Sequence, residues 1–284
     1  RKHDFDIVLQ LGYTSSSIWN RIMPKKAILV TNMDGIEWKR SKFSKKVQKF
    51  LQYAESLAVK YSDYFIADSI GIQQYLQEEY KVESIYIPYG AELMSEPSSN
   101  ILNFFNLKKY NYDIVIARME PENNIEMIIN GYLDSKKERD LVIIGNLETK
   151  FGKYISEKYN DNSIKYLGFV SGIENLNSFR NFSNLYFHGH SVGGTNPSLL
   201  EAMASNSLIC AHDNVFNKSI LNKDGYYFNS SSEITEFINL IRKDKNKKDK
   251  LMSNRDKIKT IYSWDRIINS YNNFFKRISI DDNL

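Results

Sequence analysis

Residues 184–204, NLYFHGHSVGGTNPSLLEAMA, read as one strand, one turn and one helix. NLYFHGH is apolar and aromatic up to its histidines. SVGGTN has turn composition, and PSLLEAMA opens with proline at the first helical position after Asn196, a residue type suited to the N-cap. The free N–H groups of such a helix start attract an anion, and Gly193 and Gly194 would let a phosphate approach the backbone. Glu201, one turn into the helix, could accept hydrogen bonds from sugar hydroxyls. A tight strand-to-helix connection without a ligand is the plain alternative for the Gly-Gly pair taken alone.

The same strand-then-helix rhythm runs through the chain in both directions. FDIVLQLG, KAILVTN, DYFIADS and SIYIPYG read as strands, with helices over residues 41–61 and at IGIQQYLQEEY. After a Pro-Ser-Ser break in the stretch 91–111 the alternation restarts at YDIVIAR, with IEMIINGYL as helix and DLVIIGN, SIKYLGF, NLYFHGH and SLICAH as strands. Alternation of this kind predicts parallel sheets covered by helices. The expected fold is therefore α/β, with two Rossmann-like domains and a ligand cleft between them. The amino-terminal domain is expected over residues 1–95, completed by a carboxy-terminal helix at 263–284, and the second domain over 108–262. Arg1 starts close to what looks like a middle strand, so the first domain is expected to be incomplete.

Composition narrows the function classes. With 284 residues, 42% hydrophobic and 25% charged, the chain has material for a large core, and it contains no apolar run near 18 residues. A single cysteine, Cys210 in SLICA, permits no internal disulfide and suits a reducing cytoplasm, with Cys210 itself read as a packed strand residue. The net charge of +4 is too small to indicate nucleic acid. It is unevenly spread, since residues 1–64 hold twelve Lys or Arg against six Asp or Glu. Much of that excess lies in EWKRSKFSKKVQKF, residues 37–50. As a helix it gathers Phe43, Val47, Phe50 and Leu51 into one stripe with cations around it. Residues 39–49 are either a solvated face or a surface for anionic lipid headgroups, which would make the protein peripheral on the inner membrane face. RKDKNKKDK, residues 242–250, reads as a solvated helix end or loop.

The set of motifs resembles family 4 glycosyltransferases of the GT-B fold. SVGGTNPSLLEAMASNSLICA is similar to that family's carboxy-terminal signature, and IARMEPENNIEMII, residues 116–129, to its arginine-bearing strand end. YLGFVSGIENLNSF, residues 166–179, resembles its nucleobase loop, and YSWDRIINSYNNFF, residues 262–275, its closing helix. NMDGIEWKRSKFSK, IADSIGIQQYL and YIPYGAE resemble a subgroup assigned as rhamnosyltransferases.

The resemblance implies a retaining transfer of a sugar, with L-rhamnose favoured, from a nucleotide diphosphate donor such as dTDP-rhamnose. The acceptor would be a glycan or lipid diphosphate saccharide in cell-surface polysaccharide synthesis, and no metal or other cofactor is required. Arg118, Asn123, Gly168, Val170, His190, Gly193, Gly194, Thr195, Asn196 and Glu201 are the implied donor-binding residues, with Arg118 and Glu201 also in catalytic roles. The chain departs from the family pattern at Gly193, where its first acid is expected, and at Asn123, where a lysine is expected. A non-catalytic protein binding a nucleotide sugar or a partner, and a transferase of another hexose, are the alternatives.

On the acceptor side Asp34 is the preferred general base, with Glu37 second and Trp38 a sugar-stacking candidate. An ordinary Asp-Gly turn, a helix-start acid and a packed indole are the alternatives. His188 and His190 flank one glycine on one face of a strand, yet no third metal ligand is visible nearby. His190 is read as a hydrogen-bond donor to phosphate or acceptor, and His188 as a packed strand-end residue.

Overall fold

Short β-branched runs that stop at a small or acidic residue build the first sheet. The computed structural model describes residues 5–243 and 247–281. In it β1 (Ile7–Leu11), β2 (Ile28–Met33), α1 (Lys45–Tyr61), β3 (Tyr64–Ala67), α2 (Ile70–Tyr80) and β4 (Ile85–Tyr86) follow one another. The four strands pair in parallel in the order β1-β2-β3-β4. Gly12, Asp34 and Asp68 directly follow β1, β2 and β3, which puts all three at the carboxyl edge of this sheet. Side-chain caps define where the helices start, because each removes an orphan backbone N–H: Ser44 Oγ accepts from Val47 N and Ser69 Oγ from Ile72 N.

The second sheet grows outward from one central strand. Its chain runs α3 (Asn100–Phe104), β5 (Tyr112–Ile116), α4 (Ile125–Leu133), β6 (Asp140–Ile144), α5 (Lys150–Lys158), β7 (Ile164–Gly168), α6 (Ile173–Phe182) and β8 (Tyr186–His188). It continues through α7 (Pro197–Ala204), β9 (Ile209–His212), α8 (Val215–Leu221), β10 (Tyr226–Phe228), α9 (Ser231–Leu240) and α10 (Lys248–Thr260). The parallel order is β10-β9-β8-β5-β6-β7, so winding reverses between β5 and β8. Ile128, Ile129, Leu141, Ile143, Phe187 and Cys210 are among the residues of its core. Gly131 lets α4 and α9 close together, since a Cβ there would fall 2.6 Å from Ser231 O. A buried pair, Arg139 Nη2 donating to Asp113 Oδ2 at 3.1 Å, is tolerated because Asn184 and Leu185 N also donate to Asp113.

α11 (Trp264–Asp281) belongs with the first sheet, where Ile267, Phe274 and Ile278 pack with Ile28, Val30, Ile66 and Ile87. The chain divides into two units, one of Arg1–Gly90, Val192–Asn196 and Tyr262–Leu284, the other of Ala91–Ser191 and Pro197–Ile261. Five residues of the Gly-Gly turn therefore fall in the first unit.

Two local expectations change, and a third lies partly outside the described residues. β10 was not anticipated, because three residues are too few for a period. α1 begins at Lys45 instead of residue 41, and of its apolar stripe only Leu51 is buried, Val47 and Phe50 being exposed. Of the run 242–250, residues 244–246 lie outside the described residues, while Arg242 pairs with Glu138 at 2.5 Å.

Candidate functional site

In an open α/β sheet, ligands sit beyond the carboxyl ends of the strands where the winding reverses. In the second unit that place lies between β5 and β8. Arg118, two residues past β5, is exposed, and its guanidinium has no hydrogen-bond or ion-pair partner among the described residues. A dense set of backbone contacts shapes the loop that carries it. Asn123 Nδ2 donates to Arg118 O at 2.7 Å, and Asn124, in the left-handed region at φ 50°, donates to Gly189 O at 2.7 Å. Ser191 donates twice to Glu122 O, from N at 3.1 Å and from Oγ at 2.8 Å. Gly189 is pressed against Asn123 O so closely that any Cβ would overlap it. These contacts lock the loops after β5 and β8 to each other. Asn123 thereby differs from its expected role: it is buried, and its amide is committed to shaping the arginine loop.

The His188 and His190 rings stack with centroids 4.3 Å apart and planes 12° apart, as alternation along β8 requires. His188 is fully buried, and burial holds its pKa far below the usual imidazole value, so it packs as a neutral ring. The carbonyl of His190 accepts from Asn214 Nδ2 at 3.0 Å and Asn217 Nδ2 at 3.1 Å, which fixes the strand end.

α7 presents Glu201 half-buried. Arg180 Nη2 donates to Glu201 Oε2 at 2.6 Å, and the same guanidinium donates to Asn177 Oδ1 and Ser198 Oγ. Tyr186 lies beneath it, 5.9 Å from ring centroid to the guanidinium carbon. Nothing in the sequence spacing signals Arg180, because α6 and α7 meet only through the fold. Its effect is to hold one carboxylate oxygen of Glu201 and leave the other without a partner.

At the end of β7, Gly168 adopts φ +68° with no atom within 4 Å of where a Cβ would stand, and Gly172 caps α6 at φ +87°. Val170 is half-buried beside Phe169, which is 79% exposed. Phe169 is an aromatic face the sequence reading did not single out.

The Gly-Gly turn has a different setting from the one expected. Gly194 abuts the carboxylate of Asp68, the Thr195 N–H donates to Asp68 Oδ2 at 3.1 Å, and Thr195 Oγ1 donates to Asp68 O. The Thr195 amide is thus not free for phosphate, and the bare Cα of Gly194 faces a carboxylate. Gly193 is open: its φ is +145°, and no atom lies within 4 Å of a Cβ position. Asn196 closes the segment, and Pro197 opens α7 as expected.

In the first unit Asp34 is half-buried beside Gly12, whose Cβ position lies 3.3 Å from Asp34 Oδ1. Burial and then the Glu37 charge raise its pKa above the usual carboxylate value. Glu37 is occupied by Arg40 at 2.7 Å, so it is less suited to act as a base. The Trp38 indole donates to buried Glu55 Oε1 at 3.4 Å, and that oxygen also accepts from Tyr75 and Tyr80. Its half-buried ring, under the Lys39 ammonium, is a packing element and not an open stacking platform.

Residues 100–258 match the family described as Glycosyl transferases group 1, and residues 10–92 match a domain of unknown function, DUF1972. No curated protein matches the chain. Among solved structures it is similar to sucrose-phosphate synthase (tll1590) from Thermosynechococcus elongatus, with 14% identity and a TM-score of 0.80 over 98% of this chain and 74% of that one. It is also similar to Anabaena Alr3699/HepE in complex with UDP-glucose, with 17% identity and a TM-score of 0.81 over 96% and 79%. The pneumococcal O-GlcNAc transferase GtfA gives 13% identity and a TM-score of 0.69 over 96% and 56%. At such identities the likeness establishes the fold, two parallel-sheet Rossmann-like domains of GT-B type. Matched by the family over more than half its length, the chain belongs to the glycosyl transferases group 1.

Proposed function

We propose that this glycosyltransferase takes a sugar from a nucleotide diphosphate donor and passes it, with retained anomeric configuration, to a saccharide acceptor. The observation that carries the reading is the unpaired Arg118 guanidinium at the β5/β8 switch point, on a loop held rigid by backbone contacts. As the anomeric bond to phosphate breaks, charge builds on the leaving diphosphate, and a preorganised cation there lowers the barrier. The unpartnered oxygen of Glu201 accepts from a ribose hydroxyl, and the Gly168–Val170 stretch with Phe169 receives the base. Asp34 takes the acceptor proton, a task that a raised carboxylate pKa favours. No protein nucleophile and no metal ion enter this scheme. The UDP-glucose held by the Anabaena protein supports a nucleotide sugar as donor class.

L-Rhamnose from dTDP-rhamnose is the proposed sugar, because Gly193 leaves open space where a sugar-reading side chain would stand. The acceptor is proposed to be a lipid-linked saccharide of a cell-surface polymer. No helix among the described residues is long and apolar enough to cross a membrane. A surface contact is supported instead by α1 and the 3₁₀ turn Ser17–Ile22, which pack together and expose Ile18, Trp19, Ile22, Val47, Phe50 and Tyr53 among exposed Arg21, Lys45, Lys46 and Lys49.

A thermal-shift panel of dTDP-, UDP- and GDP-sugars, followed by transfer and donor-hydrolysis assays on the hit, tests the reading. A stabilising donor that is turned over supports it. Binding without turnover favours a non-catalytic nucleotide-sugar protein, and no shift with any donor overturns it.

A further inference from the structure

Asp68 is a buried carboxylate, 1% exposed, at the carboxyl edge of the first sheet, and neither the expected donor site nor the acceptor site includes it. Its oxygens are used unevenly. Oδ2 accepts from Thr195 N at 3.1 Å, the main-chain carbonyl accepts from Thr195 Oγ1, and Oδ1 has no partner. The carboxylate lies where a Cβ of Gly194 would be, so that position admits only glycine while Asp68 keeps this place. One residue earlier the turn runs over the Asp34–Gly35 corner, with Gly193 Cα 4.0 Å from the Cβ position of Gly35. Burying a carboxylate with one oxygen unpaired is unfavourable, and stability alone would be served as well by an uncharged residue. Three properties of the turn match Asp68: a bare Cα at 194, and an amide and a hydroxyl at 195 that both donate to it.

We propose that Asp68 is the positioning residue of the turn Gly193–Thr195, fixing it so that the open side of Gly193 is presented to the sugar of the donor. This rests on the donor reading above. With the Thr195 amide already donating to Asp68, the turn has no free N–H at that position for a diphosphate, so the part of the donor that meets the turn is its uncharged sugar. Diphosphate recognition stays with the Arg118 loop. Nucleotide binding and sugar binding thus become separable, and only the second depends on Asp68.

Hydrogen exchange at the Thr195 amide in the full chain reads the positioning directly, without activity. Asp68→Ala should speed exchange there by about tenfold or more, the loss of one buried hydrogen bond, whereas Asp68→Asn, whose carbonyl still accepts, should stay within about threefold of the parent. Calorimetry with UDP against UDP-glucose, and dTDP against dTDP-rhamnose, then reads the consequence. Asp68→Ala should bind the free nucleotide as the parent does and lose about tenfold in the increment that the sugar adds, with Asp68→Asn restoring it. Should Asp68→Ala fail to give the parent circular dichroism, Thr195→Val, which removes only the hydroxyl bond, should move exchange at 194–196 in the same direction. Unchanged exchange in both variants overturns the positioning role. Altered exchange with an unaltered sugar increment overturns its link to the donor. If the parent binds none of the four ligands, the donor reading fails, and with it that link, while the exchange comparison still decides whether Asp68 holds the turn.

Discussion

Arg180, with 1% of its surface exposed, donates to Glu201 across 2.6 Å, and this bond aims the one acidic side chain of α7. Glu201→Ala would leave a buried guanidinium without its counterion. Stability should fall by about 2–4 kcal/mol in urea unfolding, and nucleotide affinity should fall with it. Ser198→Ala, which removes a lesser contact of the same arginine, should cost about 1 kcal/mol.

Arg118 should behave in the opposite way. Its guanidinium is exposed and unpaired, so Arg118→Ala should leave the melting temperature within about 1 °C of the parent, as for surface substitutions generally. Turnover should drop by about a hundredfold or more, the usual consequence of removing a group that stabilises developing negative charge. Activity within twofold of the parent would remove Arg118 from the reaction.

Burial and the neighbouring Asp34 raise the Asp68 pKa well above the ordinary carboxylate value. The folded state therefore holds its proton more tightly than the unfolded state. Its contribution to stability is complete below the unfolded pKa, about 4, and is lost as pH rises through the folded value. Tyr86, Tyr89 and Tyr271 also feel these carboxylates, but their hydroxyls are shifted upward and stay neutral, so Asp34 is the group that co-titrates. Asp68→Asn should accordingly be at least as stable as the parent at pH 7.5, with the difference shrinking toward pH 4.5. A difference that grows on acidification would contradict this sign.

Flotation with phosphatidylserine vesicles tests the surface built by the 3₁₀ turn 17–22 and α1. Neutralising Lys45, Lys46 and Lys49 with glutamine should weaken binding by about a hundredfold, near 1 kcal/mol per cation, charge reversal should weaken it further, and Trp19→Ala should weaken it without changing its salt dependence. Equal binding to neutral phosphatidylcholine vesicles would remove the electrostatic part of the proposal.

Much of this protein follows from local sequence. The two parallel sheets could be read from IVLQL, ILVTNM, YDIVI and DLVII, because a strand buried on both faces must be almost wholly apolar. α2, α4 and α7 were legible to the residue, since the cap of α2, the proline that opens α7 and the apolar period of α4 are all local. Glu201 could be singled out for the same reason, since it stands at a fixed offset from a helix start, whereas Arg118 was marked by the resemblance of residues 116–129 to the family's arginine-bearing strand end. Local sequence did not disclose Arg180 or Asp68, which lie 21 and 126 residues from Glu201 and Gly194 along the chain and act through packing, nor Phe169, whose exposed ring no local pattern marks.

HGHSVGGTNPSLLEAMA marks the boundary between the two kinds of information. By itself the sequence determines that a strand ends, a glycine turn follows and a helix begins at Pro197, because backbone preferences and capping are local. What the glycines are for is decided by the tertiary structure. Gly193 stays open, whereas Gly194 is bare because a carboxylate from a distant strand lies against its Cα, and van der Waals exclusion leaves no room for another atom.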